Sequence, residues 1–172
     1  MLDLLRTRRS IRKYQNKAIE KEKVDTILKA ALLAPSSRKR RPWEFVVVTD
    51  KEMLQTLSQC RESSAKFLGA APLAIVVAAD PEVCDVWIED CSIAAIIMQL
   101  TAHSLGLGSC WIQVRERFTS KQEKTEDYIK KALGIPETYH VECIVAVGYP
   151  GEEKKSYDDK DLLEEKIHSE RF

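Results

Sequence analysis

Apolar residues recur along the chain in two periods, and the switch between them marks its elements. Val24, Ile27, Leu28, Ala31 and Leu32 fall at helical spacing from Glu22 onward, and Pro35 disfavours helical geometry at Ala34, which predicts a helix ending near Leu33. Phe45 to Val48 and Leu73 to Ala78 are short unbroken apolar runs of the kind found in strands covered on both faces, and Val141 to Tyr149 is a third. Thr49 to Glu52 fits a capping box that opens a helix through Gln59, and Asp80 with Pro81 suits the start of another. Between these elements, Arg61 to Lys66 is expected to be irregular.

The clearest helix is expected from Trp87 to Leu105. Cys91, Ala94, Ala95, Met98, Thr101, Ala102 and Leu105 form one stripe, while Ile93, Ile96, Ile97 and Leu100 make the opposite side apolar too. A helix apolar all round is expected to be buried, and in so small a domain a second subunit can share in that burial. Gly106 closes it, and Leu107 to Val114 follow as a loop and short strand. A short helix is expected at Leu2 to Arg8, and another from Glu123 to Leu133, stopped by Gly134 and Pro136. Residues 152–172 form a charged tail with few apolar residues for a core of their own, available to wrap a surface, a partner's included.

Length and composition agree with one compact domain: 172 residues, 44% hydrophobic and 31% charged. The formal charge of +0 gives the whole molecule no field toward nucleic acid or an anionic membrane. The 5 cysteines are odd in number and lack a C-x-x-C pair, which points to a reducing cytoplasm and away from a disulfide framework or zinc site. Met1 is not followed by a signal-type apolar run, and Ile93 to Leu100 is too short to span a bilayer.

Against this neutral background, five of the eight residues from Arg6 to Lys13 are basic, and four consecutive basic residues, Arg38 to Arg41, lie in the loop from Pro35 to Pro42. Each run is open to two readings, a solvated charged face or an anion site, in which guanidinium forks and the Ser10, Ser36 and Ser37 hydroxyls would serve phosphate oxygens. Trp43 and Trp111 are either core anchors or walls for a planar ligand. His103 is expected to be a core or interface histidine, and His140 and His168 have no partner spacing. Glu89 and Asp90, adjacent on a helix and so about 100° apart, are given a surface or interface role. The Gly106–Gly108 turn is either a helix stop or a phosphate cradle. No G-x-S-x-G, P-loop, H-E-x-x-H or G-x-G-x-x-G motif is present, so the chain offers binding groups without an autonomous catalytic group, the pattern of a cofactor enzyme.

Three segments then carry a resemblance in proper order: Arg8-Arg9-Ser10-Ile11-Arg12-Lys13-Tyr14, Ala34-Pro35-Ser36-Ser37 leading to Arg41-Pro42-Trp43-Glu44-Phe45, and Leu105-Gly106-Leu107-Gly108-Ser109-Cys110-Trp111-Ile112. Over nearly its whole length the chain is similar to the nitroreductase family of FMN-dependent oxidoreductases. The resemblance implies an α+β sandwich, a mainly antiparallel central sheet flanked by helices, in an intertwined homodimer with FMN at the subunit interface, reduced by NADH or NADPH and reoxidised by a small-molecule electron acceptor. It implies that Arg8 and Ser10 hold the phosphate, with Arg9 beside them through its backbone, and that Arg12 reaches the pyrimidine edge of the flavin. Pro35, Ser36 and Ser37 would come from the other subunit. Gln113 or Val114 would present a backbone N–H to flavin N5, and Lys154 or Lys155 would return from the C-terminal arm to the phosphate. The loop departs from the family pattern, with Lys39 in place of an asparagine and Arg41 in place of a glutamine, and two readings stay open: a more positive site that favours acidic substrates or the extra phosphate of NADPH, and an Arg40 or Arg41 that simply faces solvent. Arg61 to Phe67 or Arg115 to Glu123 would cover the substrate. Two alternatives stay open: a non-redox module binding anions or nucleic acid, and a specialised family member of dehalogenase or flavin-destroying type.

Overall fold

The computed structural model describes residues 1–172. Helices α1 (Leu2–Thr7) and α2 (Lys21–Leu32) precede strand β1 (Trp43–Val48), helix α3 (Lys51–Leu57) and strand β2 (Leu73–Ala79). Helix α4 (Trp87–Ser104), strand β3 (Gly108–Gln113), helix α5 (Thr125–Leu133) and strand β4 (His140–Gly148) complete the order. The four strands form one antiparallel sheet in the order β1-β2-β4-β3, so the two most apolar strands lie at its centre and β3 at an edge.

Both faces of that centre are covered. α2 and α4 pack on Ile75, Val77, Cys143 and Val145, while α3 and α5 pack on Ala74, Val76, Ile144 and Ala146. Every residue of β2 is buried, which is why its sequence is an unbroken apolar run without the alternation of a half-solvated antiparallel strand. The resemblance had implied this α+β sandwich of helices around an antiparallel sheet, and the fold has it.

The details differ where tertiary contacts override local pattern. β1 begins at Trp43, two residues before Phe45, because Trp43 pairs with Ala79 across the sheet and is 5% exposed. α3 is capped by Asp50, not Thr49: the Asp50 carboxylate accepts from Met53 N at 2.8 Å, and the helix stops at Leu57. No helix starts at Asp80; its side chain accepts from Glu82 N at 2.9 Å and closes a turn instead. α4 is buried on the stripe containing Cys91, Ala94, Ala95, Met98 and Ala102, but Ile93 and Ile96 on its other side are each 37% exposed within one chain, short of the burial expected all round. His140, expected to lack a partner, has its Nδ1 2.8 Å from Glu126 Oε1 and its ring against Trp87, because α5 packs beside the start of β4. No helix is long and apolar enough to cross a membrane.

One irregularity shapes the end of the sheet. The β2–β4 register slips between Val77 and Ala78, leaving Glu142 as the extra residue of a bulge. Its carbonyl accepts from Val114 N at 3.3 Å, in step with the β3–β4 register, and from Arg115 N at 3.2 Å, and the second bond takes the chain out of the ladder. The Glu142 carboxylate is buried 3.4 Å from Arg115 Nε, an ion pair without hydrogen-bond geometry. Burial pushes its pKa above the ordinary value of 4.5, with Arg115 opposing. The folded chain therefore holds this proton more tightly than the unfolded chain, and stability falls as pH rises from the unfolded pKa through the folded one. In Glu142→Gln that loss is absent, so denaturant midpoints at pH 4 and pH 7 should shift in favour of the variant, relative to wild type, at the higher pH.

Candidate functional site

The basic N-terminal stretch is built onto the edge of β3. Ser10 bridges Ser109 in parallel, and Ile11 N donates to Ser109 O at 3.0 Å. Four residues later Tyr14 bridges Pro150, with Gln15 N on Tyr149 O at 2.9 Å and Gly151 N on Lys13 O at 2.8 Å. Two glycines make this docking possible. Gly108 and Gly148 face each other across β3 and β4, and a Cβ on Gly108 would stand 2.8 Å from Ile11 Cβ. A Cβ on Gly148 would stand 2.7 Å from Tyr14 Cδ1. The pair leaves a bare patch of sheet on which Ile11 and Tyr14 lie, and the Tyr14 hydroxyl donates to Ile11 O at 2.7 Å to close the segment.

Glu152 sets the next residue. Its Oε1 accepts from Arg12 N at 2.7 Å and Lys13 N at 3.2 Å, and its Oε2 pairs with Lys154 Nζ at 2.9 Å. The bonds from Arg12 N and then Lys154 hold this carboxyl below the ordinary range, so it is charged at neutral pH. Sequence pattern offers no sign of this clamp, since the two partners lie 140 residues apart.

Two cavities open along the β3 edge. The first, of about 190 Å³, is lined by Thr7, Arg9, His103, Gly106, Gly108 and Lys154 among others. His103 Nε2 is 2.7 Å from Thr7 Oγ1, and desolvation with the Arg8 charge lowers its pKa, which keeps it neutral at neutral pH. Lys154 lines this cavity, whereas Lys155 Nζ lies 3.6 Å from Asp158 and its carbonyl accepts from Arg9 Nη1. Arg9 also stacks on Tyr157, 4.1 Å from the ring centre, so its guanidinium is committed to the arm. The second cavity, of about 410 Å³, brings together Arg12, Arg61, Phe67, Trp111, Gln113 and Arg117, joined by Ser63 and Ser64. Both segments named as substrate covers therefore reach it, and the structure shows that Arg61 and Arg117 are the charged residues they bring there beside Arg12.

The ladder decides which backbone groups face this space. Ser109 O accepts from Ile11, and two steps of two residues on, Gln113 O accepts from Arg61 Nη1 at 2.9 Å, so the odd residues of β3 point their N–H and C=O outward. Val114 N is directed inward to Glu142 O. Of the two candidate donors, Gln113 N–H is the one aimed at the open edge. The Gln113 side chain is tied along the strand, accepting from Trp111 Nε1 at 2.9 Å and donating to Arg115 O at 3.1 Å. Trp43 is core, while half-buried Trp111 is a cavity wall.

The Pro35–Lys39 loop is not brought to these cavities within one chain. It is anchored at the start of α4, where Ser37 N donates to Asp90 Oδ1 at 3.0 Å, and Arg41 N bonds Ser36 Oγ at 3.0 Å. Asp90 is 3% exposed, so it has a buried structural role in place of the surface or interface one expected, set by its position where α4 meets the loop. Arg40 Nη1 donates to Val83 O at 3.1 Å. Arg38, Lys39 and Arg41 take left-handed φ values of 51°, 58° and 50°, a tight course that fixes the loop's shape.

The donor set fits a phosphorylated, planar, reducible ligand. Arg8, Arg9, Arg12, Arg61 and Arg117 form no ion pair with any carboxylate; Lys154 supplies a cation to the smaller cavity and Arg12, Arg61 and Arg117 to the larger, where an outward backbone N–H stands beside Trp111 and Phe67.

Comparison with known proteins places this architecture. The nitroreductase family profile matches residues 5–62 and 53–149. The structure superposes with a TM-score of 0.98 on an FMN-dependent nitroreductase from Clostridium difficile R20291, 57% identical, over 100% of both chains. A protein of Archaeoglobus fulgidus provisionally named NADH dehydrogenase/NAD(P)H nitroreductase is 40% identical over 99% of this chain and 98% of its own. A similarity to iodotyrosine deiodinase 1 of Sus scrofa, 38% identical, takes in 37% of this chain and 22% of that one. The chain belongs to the nitroreductase family, and it is an oxidoreductase of that family.

Two substitutions test this architecture. Gly108→Ala should cost about 1–3 kcal/mol in chemical denaturation, because Ile11 Cβ must be displaced from the sheet. Asp90→Ala leaves Ser37 N–H without its partner, and amide exchange at Ser37 to Arg41 should quicken by at least tenfold while exchange in β2 and β4 stays slow.

Proposed function

We propose that the chain is an FMN-dependent NAD(P)H oxidoreductase that reduces nitroaromatics, quinones or related acceptors by a ping-pong mechanism, with residues 1–172 as one FMN-binding domain and 152–172 as its arm. The observation that carries this is the β3 edge of a nitroreductase-family chain, where unpaired guanidinium groups flank the outward Gln113 N–H. FMN, when bound, supplies the two-electron relay, taking hydride from the nicotinamide and passing it to the acceptor.

The chain's own residues bind and orient. Arg8 and Ser10 grip the phosphate, Lys154 adds charge there, and Arg9 contributes backbone while its side chain secures the arm. Arg12, fixed through its backbone by Glu152, faces the pyrimidine end, where a held cation stabilises the negative charge of reduction. Gln113 N–H serves the redox-active nitrogen, and no side-chain acid or base is needed. Pro35, Ser36, Ser37 and Lys39 act from a second subunit. That homodimer is supported by the apolar face of α4, with Ile93 and Ile96 exposed in a single chain. The free cysteines fit a cytoplasmic setting.

The purified protein should be yellow and should bleach anaerobically with NADH or NADPH; colourless protein that takes up no added FMN overturns the proposal. Arg8→Ala should weaken FMN binding. Arg12→Ala should in addition lower the flavin midpoint potential by about 30 mV, the two-electron equivalent of ~1.4 kcal/mol. Equal potentials in the two variants would refute the division between grip and electronics.

A further inference from the structure

The larger cavity holds more positive charge than the function above uses. Arg12, Arg61 and Arg117 line it, no carboxylate does, and none of the three is ion-paired. Arg61 is fixed in place by donating Nη1 to Gln113 O at 2.9 Å. Arg117 donates Nη1 to the carbonyl of Glu116 at 2.9 Å, while the Glu116 carboxylate turns to Arg115 at 2.9 Å and so leaves Arg117 unneutralised. Phe67 and Trp111 supply flat apolar surface in the same space. If Arg12 serves the flavin, Arg61 and Arg117 remain as two cationic groups lining the same space, and an anion entering it would be attracted to both.

We propose that the electron acceptor at this site is a planar organic anion, an aromatic nitro compound or quinone carrying a carboxylate or sulfonate, whose charge is met by Arg61 and Arg117 and whose ring packs on Phe67 and Trp111. This rests on the oxidoreductase function proposed above. For a nitrobenzoate, NAD(P)H is oxidised to NAD(P)⁺, and its hydride with one solvent proton reduces the nitro group to nitroso while one oxygen leaves as water. The carboxylate stays ionised throughout, so its pairing with the arginines is kept from binding to release.

The test compares 4-nitrobenzoate with its neutral analogue 4-nitrobenzamide in the FMN-loaded protein. Wild type should favour the anion in kcat/KM by about tenfold, the size of one charge-assisted Arg–carboxylate contact. The ratio should fall as salt is added and approach one in Arg61→Gln and Arg117→Gln, mainly through KM. Equal kcat/KM for the two acceptors in wild type overturns the proposal, as does a preference that survives both substitutions. So does a change in the NADPH-to-NADH ratio in the variants without a change in the acceptor ratio, which would assign the charge to the reductant. Anaerobic bleaching by NADH, read on the same samples, separates the two levels: bleaching without acceptor discrimination overturns this inference alone, and flavin that does not bleach overturns the function and the inference together.

Discussion

The candidate site depends on the contact of Ile11 and Tyr14 with the bare patch formed by Gly108 and Gly148. The segment lies so close to the sheet here that a Cβ on Gly108 would enter the space of Ile11, and one on Gly148 that of Tyr14. Once the segment is docked, the hydrogen bonds of Ile11 to Ser109 and of Lys13 to Gly151 fix its register, and Glu152 fixes the direction in which it leaves. Arginines that would otherwise sample many positions are thereby launched from a rigid backbone, which is what makes them a candidate site.

The sheet behind this edge is stiff because its central strands are buried on both faces, and the edge strand inherits that stiffness through its pairing with β4. Glu142, the bulged residue of the β2–β4 pairing, also receives the last amides of β3 where the larger cavity begins. The alternation of β3, in unbroken register with β4, turns Val114 inward to Glu142 O and leaves Gln113 as the outward donor. The energetic cost of a buried carboxylate at the bulge is partly offset by Arg115, which in turn draws Glu116 away from Arg117.

α4 links this half of the site to the other. Its inner stripe is part of the core beneath the sheet, its N-terminal turn holds Asp90 against the Ser37 amide, and its outer isoleucines stay partly exposed in one chain. One helix thus anchors the serine loop and presents an apolar face beside it.

The sequence by itself determined most of the elements and the two basic clusters, because hydrophobic period, proline and glycine act over a few residues and leave a local trace. β2 and β4 were legible as strands covered on both faces, and Arg8, Ser10 and Arg12 as candidates for an anion. Only the tertiary structure decided that Asp90 is a buried anchor, that Lys154 and not Lys155 lines the smaller cavity, that Gln113 rather than Val114 faces outward, and that Arg61 and Arg117 join Arg12. These depend on strand register and on contacts between residues far apart in the chain, and such contacts leave no period or spacing to read.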